Sequence, residues 1–196
     1  MAGRRLGPFL LLVAAWLVPL YLIWWLGTGL FAWPVALLSE LVTRVGFGDL
    51  VRAVEQHDKL ITFVTSLRPP DAPLVSASRA VLEVPSNYRL FSFGLPMLAA
   101  LTLAARDGHH VRKLLIACLV LVPFQTFSVV ADFLKNIAIE SGPAVSAQLG
   151  FAAWQREAIA FSYQFGTLIL PTVAPAIVWV LMHRRFLESF AGRDRA

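Results

Sequence analysis

The sequence predicts an all-α membrane protein, a four-transmembrane-helix bundle with a small extracytoplasmic α+β cap, and three observations carry that reading. First, the apolar residues gather into four long runs, 6–26, 90–105, 114–134 and 158–182. A helix crossing a hydrocarbon core of about 30 Å needs roughly 20 mostly apolar residues. Second, only 15% of the chain is charged and 58% is hydrophobic, whereas about a quarter of a soluble domain is charged. Third, charge is sorted along the chain. With the N-terminus inside, the inner segments hold nine basic residues (Arg4, Arg5, Arg106, Arg112, Lys113, Arg184, Arg185, Arg193, Arg195) and three acidic ones (Asp107, Glu188, Asp194). The outer segments then hold eight basic and nine acidic residues. This is the positive-inside pattern with both termini cytoplasmic, so the net charge of +5 reports orientation in lipid rather than affinity for nucleic acid.

The first run follows Arg4-Arg5 and, at about 20 residues, is longer than the apolar region of a signal peptide, about 7–15; it leads into Gly27-Thr28-Gly29-Leu30-Phe31-Ala32-Trp33-Pro34. It is expected to stay as a span. Trp24, Trp25 and Trp33 fit an interfacial belt. Residues 34–45 read as a short helix on the outer membrane surface, opened by Pro34 and stopped by Gly46, with Leu38, Leu41, Val42 and Val45 on one side and Ser39, Glu40, Thr43 and Arg44 on the other. Residues 50–66 turn β-branched and apolar around Gln56-His57-Asp58-Lys59, a hairpin signature. A Pro-rich link, 68–73, leads to a third strand expected at 79–84. The organisation is therefore a first helix in 1–31, the cap in 32–86 and a three-helix unit with a cytoplasmic tail in 87–196. A cap of some 55 residues is small for independent folding and is expected to lean on the membrane or a partner.

The second span is short and reaches full length only with Tyr88 and Arg89 at the outer interface, Arg89 snorkelling. Residues 106–113 form a tight inner loop, and 135–157 an outer loop broken at Gly142-Pro143. Prolines 19, 96, 123, 171 and 175 lie in or near the spans, where each frees a carbonyl that a neighbour must satisfy.

The sharpest chemical signal is a polar stripe on the third span. Gln125, Ser128, Asp132, Lys135 and Asn136 recur at spacings of three and four, which places them on one helical face. The fourth span offers Arg156, Glu157, Tyr163, Gln164 and Thr167 at similar depth. Buried ionisable groups are costly unless paired, so Asp132 with Arg156, or Lys135 with Glu157, are the expected ion pairs. Helix-to-helix hydrogen bonding, a partner or substrate groove, and catalysis all fit the stripe. Cys118 has no histidine or acid at helical spacing to activate it, since His109 and His110 precede the helix; it reads as a packing residue. One cysteine allows no internal disulfide, and no spacing for a metal, nucleotide or hydrolase motif occurs. No cofactor is expected.

At Asn87-Tyr88-Arg89-Leu90-Phe91-Ser92-Phe93-Gly94-Leu95-Pro96 the sequence resembles a family of small bacterial proteins, the exosortase H-associated membrane proteins. The likeness continues through 122–135, which opens Val122-Pro123-Phe124-Gln125, through 148–171 with Trp154-Gln155-Arg156-Glu157, and ends at Arg184-Arg185-Phe186. The resemblance implies a non-catalytic accessory role in the inner membrane of a Gram-negative bacterium, beside an exosortase that cleaves C-terminal tags of the PEP-CTERM type. It implies the exosortase, and its tagged substrates, as partners besides membrane lipid. Exosortases use a cysteine, an arginine and a histidine on the outer side of their helices, whereas Cys118 lies in the inner half without such neighbours. Asn87 and Arg89, inside the first matching segment, join the stripe and its fourth-span counterparts as candidate partner-binding or helix-pairing residues. The reading from another class is a small intramembrane enzyme or transporter-like module using the polar residues of the third and fourth helices.

Overall fold

The structure is a computed structural model that describes residues 3–69 and 81–190. Residues 70–73 of the Pro-rich link, Arg79 and the tail with Arg193 and Arg195 lie outside the described residues. Helix α1 (Gly3–Leu26) is followed after Gly27 by α2 (Thr28–Phe47). The cap helix expected at 34–45 therefore begins two turns earlier and ends later. The Thr28 hydroxyl reaches the Trp24 carbonyl at 2.9 Å and that of Trp25 at 3.0 Å. It thereby covers carbonyls that end α1 and lets the next helix start at once. Gly46 is ordinary helix, and the stop is Gly48, whose φ of +53° suits a residue without Cβ.

Helix α2 inverts the pattern of a soluble amphipathic helix. Thr28, Ala32, Val35, Ala36, Ser39 and Thr43 are buried, while Leu30, Trp33, Leu37, Leu41 and Val45 are exposed. Small and hydroxyl side chains inward with large apolar ones outward is what a lipid-facing helix requires. By length and composition four helices can cross a membrane, Leu6–Leu26, Thr28–Leu50, His110–Glu140 and Ala153–Met182, and Arg89–Ala105 is a shorter apolar helix. The segment expected as the second span is thus not one of the four, and the helix expected on the surface is. Yet α2 does not fold back along α1; it turns away to lie against the sheet and the long third helix. One linking residue is too short for a helical hairpin, which takes about 2–5.

Strands β1 (Val51–His57) and β2 (Leu60–Thr65) form the expected hairpin across Asp58-Lys59, with Asp58 at a φ of 51°. Strand β3 (Glu83–Asn87) completes an antiparallel sheet of order β1-β2-β3, with Leu60 opposite Asn87 and Val64 opposite Glu83. The strand expected at 79–84 is displaced to 83–87. As an edge strand it tolerates Pro85, which has no N–H to give a further neighbour.

Two short helices follow, α3 (Arg89–Ser92) and α4 (Gly94–Ala105), then α5 (His110–Lys135), which runs on through a π turn at Asn136–Glu140. The loop expected over 135–157 is mostly helical: after Gly142, at a φ of +85°, come α6 (Pro143–Leu149) and α7 (Ala153–Gln164). Helix α7 continues through a second π turn, Phe165–Ile169, into α8 (Leu170–Met182) and then α9 (Arg184–Phe190).

Two apolar cores hold these parts. In one, Phe63 of β2 stacks on Phe133 of α5 at 4.3 Å, with Val35, Ile61, Tyr88 and Val145 around them. The cap thus leans on the chain's own α5 and α6. The second core gathers Trp24, Leu95, Leu98, Leu121 and Val178 between α1, α4, α5 and α8. At the end of the bundle that carries the α4–α5 loop, Phe9, Trp179 and Phe186 form a ring cluster beside the Asp107–Lys113 ion pair. Pro19, Pro123 and Pro175 lie inside helices. Pro175 deprives the Pro171 carbonyl of its helical donor, and that oxygen faces Gly94 of α4 at a distance no Cβ could share.

Candidate functional site

The polar stripe forms a seam between the cap and the bundle. Ser86 is buried in β3, where Val84 and Ser86 point inward as the period of two demands, and Tyr88, just past the strand, is buried too. Its hydroxyl donates to Asp132 Oδ2 at 2.7 Å. Lys135 Nζ lies 3.5 Å from Asp132 Oδ1 and 3.0 Å from Glu140 Oε1. The ammonium also sits 4.3 Å above the Tyr163 ring, a cation–π contact that ties α5 to α7. Asn136 Nδ2 donates to the Asp132 carbonyl at 2.9 Å, a local helical contact rather than a tertiary one.

One layer deeper, Tyr88 donates to Gln125 Oε1 at 3.0 Å. Ser92 donates to the Tyr88 carbonyl at 3.1 Å and accepts from Trp24 Nε1 at 3.2 Å. This chain of bonds joins α1, α3 and α5. Ser128 donates to the Gly166 carbonyl at 2.8 Å, a group displaced by the π turn. Gly166 allows this close approach, since a Cβ there would come to 3.0 Å of Ser128 Cα and push α5 away by a few tenths of an ångström. π turns recur at functional positions because they redirect backbone groups; here both flank the stripe.

Arg89 is locked rather than snorkelling freely. Its Nη2 donates to the Trp25 carbonyl at 2.7 Å and its Nε to Thr28 Oγ1 at 3.0 Å, and the guanidinium lies 3.9 Å over the Trp25 ring. It pins the α1–α2 junction to α3. Asn87 Oδ1 accepts from the Arg89 backbone N–H at 3.2 Å, opening that short helix.

Neither expected ion pair forms. Asp132 is taken by Ser86 and Lys135, and Lys135 by Asp132 and Glu140. Arg156 and Glu157 are exposed and line an open cleft of about 540 Å³ with residues of the α5 π turn and α6. Among the described residues no ion pair involves either one. Gln164 is exposed, and the Thr167 hydroxyl is buried without a hydrogen-bond partner among the described residues. Cys118 lines an apolar groove between α1, α2, α4 and α5, consistent with packing. Among the described residues no cluster of His, Cys, Asp or Glu could hold a metal ion.

The roles missed from the sequence are those of Ser86 and Tyr88, which bond to the stripe at Asp132 and Gln125, and of Ser92 and Trp24, which extend that chain of bonds to α1. The inward alternation in 84–88 was the available signal. Gln148 is a further tie: it accepts from the Arg68 N–H at 3.0 Å and donates to the Arg68 carbonyl at 3.2 Å, fastening α6 to the end of the sheet.

Comparison with curated proteins and with solved structures returned no match. The family model described as exosortase H-associated membrane protein matches residues 3–186, which takes in α1, the cap, the seam and α8. The chain therefore belongs to the exosortase H-associated membrane protein family.

Proposed function

We propose that the chain is a non-catalytic accessory of an exosortase in the inner membrane of a Gram-negative bacterium, assisting the processing or sorting of exported proteins with PEP-CTERM-type tags. In this reading both termini are cytoplasmic and the sheet is periplasmic, as the charge distribution supports. The observation that carries it is the use of the polar stripe. Ser86, Asp132, Lys135 and Glu140 satisfy one another, as do Tyr88 with Gln125 and Ser128 with Gly166. Groups spent on joining cap to bundle hold a rigid shape for a partner to read; groups meant to attack a substrate would stand open to it.

Crosslinking followed by pull-down of the tagged chain from native membranes tests this. The expected product is the chain joined to an exosortase, with no turnover of tagged substrate by the purified chain alone. Eluates without exosortase, or turnover by the chain alone, would overturn the proposal.

A further inference from the structure

The fold leaves Arg156 and Glu157 outside the seam. Both are exposed, and both line the cleft of about 540 Å³ between α6, α7 and the π turn that ends α5, with Ala138, Ile139, Ser146 and Ala153 around them. Adjacent residues of a helix do not face each other, so the two border one cleft without neutralising each other, and among the described residues neither has an ion pair. The polar groups close by are already spent. Lys135 and Glu140 hold each other at 3.0 Å, and Gln155 Oε1 accepts from the Ala152 N–H at 2.8 Å. The lining of the cleft thus carries one cation and one anion, with the Ser146 hydroxyl on the α6 wall.

Depth decides what meets them. The apolar helix Ala153–Met182 has 30 residues, a rise of about 45 Å, against about 30 Å of hydrocarbon and about 40–45 Å for a bilayer with its headgroups. Beyond Trp154, its exposed large apolar side chains run from Phe161 to Leu181, a rise of about 30 Å that fills the hydrocarbon. The two turns before Phe161 then stand among headgroups, where Trp154, 68% exposed, fits an interfacial aromatic. Arg156 and Glu157 lie about 6–8 Å outside the hydrocarbon edge, within a headgroup layer about 5–8 Å thick.

We propose that this cleft is a binding site for the headgroup of phosphatidylethanolamine, with Arg156 donating to the phosphate and Glu157 accepting from the ammonium. Charge selects that headgroup. The anionic phosphatidylglycerol would leave Glu157 facing a ligand of its own sign, and the quaternary ammonium of phosphatidylcholine has no N–H to donate. A phosphate with its aminoethyl arm, about eight heavy atoms at about 30 Å³ each, takes roughly 240 Å³, which leaves room for bridging water.

The test measures lipid retained by the full chain alone, so its result does not depend on exosortase. The chain in detergent is equilibrated with equal amounts of phosphatidylethanolamine, phosphatidylglycerol and phosphatidylcholine, and the bound lipid is identified by mass spectrometry of the intact complex. Phosphatidylethanolamine should be retained over the other two. Arg156→Gln should lower its retention by about fivefold, the upper end for an exposed ion pair. Glu157→Gln should turn the preference toward phosphatidylglycerol, because a lone cation favours the anionic headgroup. Arg52→Gln, at an exposed arginine of the sheet, should change nothing. Equal retention of the three lipids, phosphatidylglycerol preferred by the unaltered chain, or an unchanged preference in Glu157→Gln would each overturn the proposal. So would crosslinks to a protein rather than to phosphatidylethanolamine from a photoreactive residue placed at Ala153 in native membranes.

Discussion

At the scale of single residues, packing separates glycines that matter from those that do not. A Cβ on Gly94 would collide with the Pro171 carbonyl oxygen and come within 2.6 Å of Pro175 Cγ. Both obstacles are rigid, so Gly94→Ala should cost on the order of 3 kcal/mol, at the upper end for overpacking, and lower the thermal midpoint in detergent. Gly46, in the last turn of α2, has open space where a Cβ would stand, so Gly46→Ala should stabilise slightly, by up to about 0.5 kcal/mol, since a helix end gains less than an interior. Equal responses of the two variants would refute the Gly94 contact. The seam makes a second residue-level prediction: Ser86→Ala and Asp132→Ala should be non-additive by on the order of 1 kcal/mol, whereas Asp132→Ala and Arg156→Ala should add. A double-mutant cycle on melting in detergent reads both. The stripe itself was legible in the sequence, because spacings of three and four need only helical geometry. Its partners were not, since Ser86 lies 46 residues from Asp132 and only the packing of β3 on α5 brings them together.

At the scale of elements, the departures from expectation have local causes. The α1–α2 break is a single residue because Thr28 covers the last carbonyls of α1, a contact no composition signal reveals. The π turns let α5 and α7–α8 run past positions where a loop or a proline suggested an end. The hairpin was readable, since its polar turn sits between two alternating apolar segments. The end of α8 gives a testable element of its own. His183 is 1% exposed, and its Nδ1 is 3.0 Å from the Trp179 carbonyl, so that nitrogen carries the proton. Nε2 lies 3.8 Å from Asp107 Oδ1 without a hydrogen bond among the described residues. Burial holds the imidazole below its usual range; the Trp179 carbonyl and the Asp107 carboxylate oppose that, and Lys113 and His110 add to it. The unfolded chain takes up the proton near pH 6.5 and the folded one only lower. The resulting stability is full above about pH 6.5 and is lost as pH falls toward the folded value. The thermal midpoint should therefore drop between about pH 7.5 and about pH 5.5, and His183→Gln should flatten that drop. An identical pH dependence in the variant would show that other groups control it.

At the scale of the whole molecule, the open question is which helices cross, and geometry narrows it. Length and composition admit α2 and leave out the shorter Arg89–Ala105. If α2 crossed, the chain would return through the membrane after α1, and the sheet would share a side with the α4–α5 loop. The fold places those two features at opposite ends of α5: β3 joins it at Asp132, and the loop joins it at Lys113. A span of α5 between them puts about 28 Å of helix rise across nineteen residues, nearly a full hydrocarbon core. The expected arrangement is therefore α1, α3–α4, α5 and α7–α8 across the membrane, with α2 lying along the sheet-side interface and its Leu30, Trp33, Leu37, Leu41 and Val45 face in lipid. Single cysteines on a Cys118→Ala background test this, because Cys118 serves packing and its loss should leave the fold intact. In intact cells a membrane-impermeant maleimide should label Lys59→Cys in the hairpin turn and Ser141→Cys after the π turn. Gly108→Cys should be labelled only after lysis. Labelling of both Lys59→Cys and Gly108→Cys from outside, or protection of both, would put the sheet and the loop on one side and make α2 the crossing helix instead.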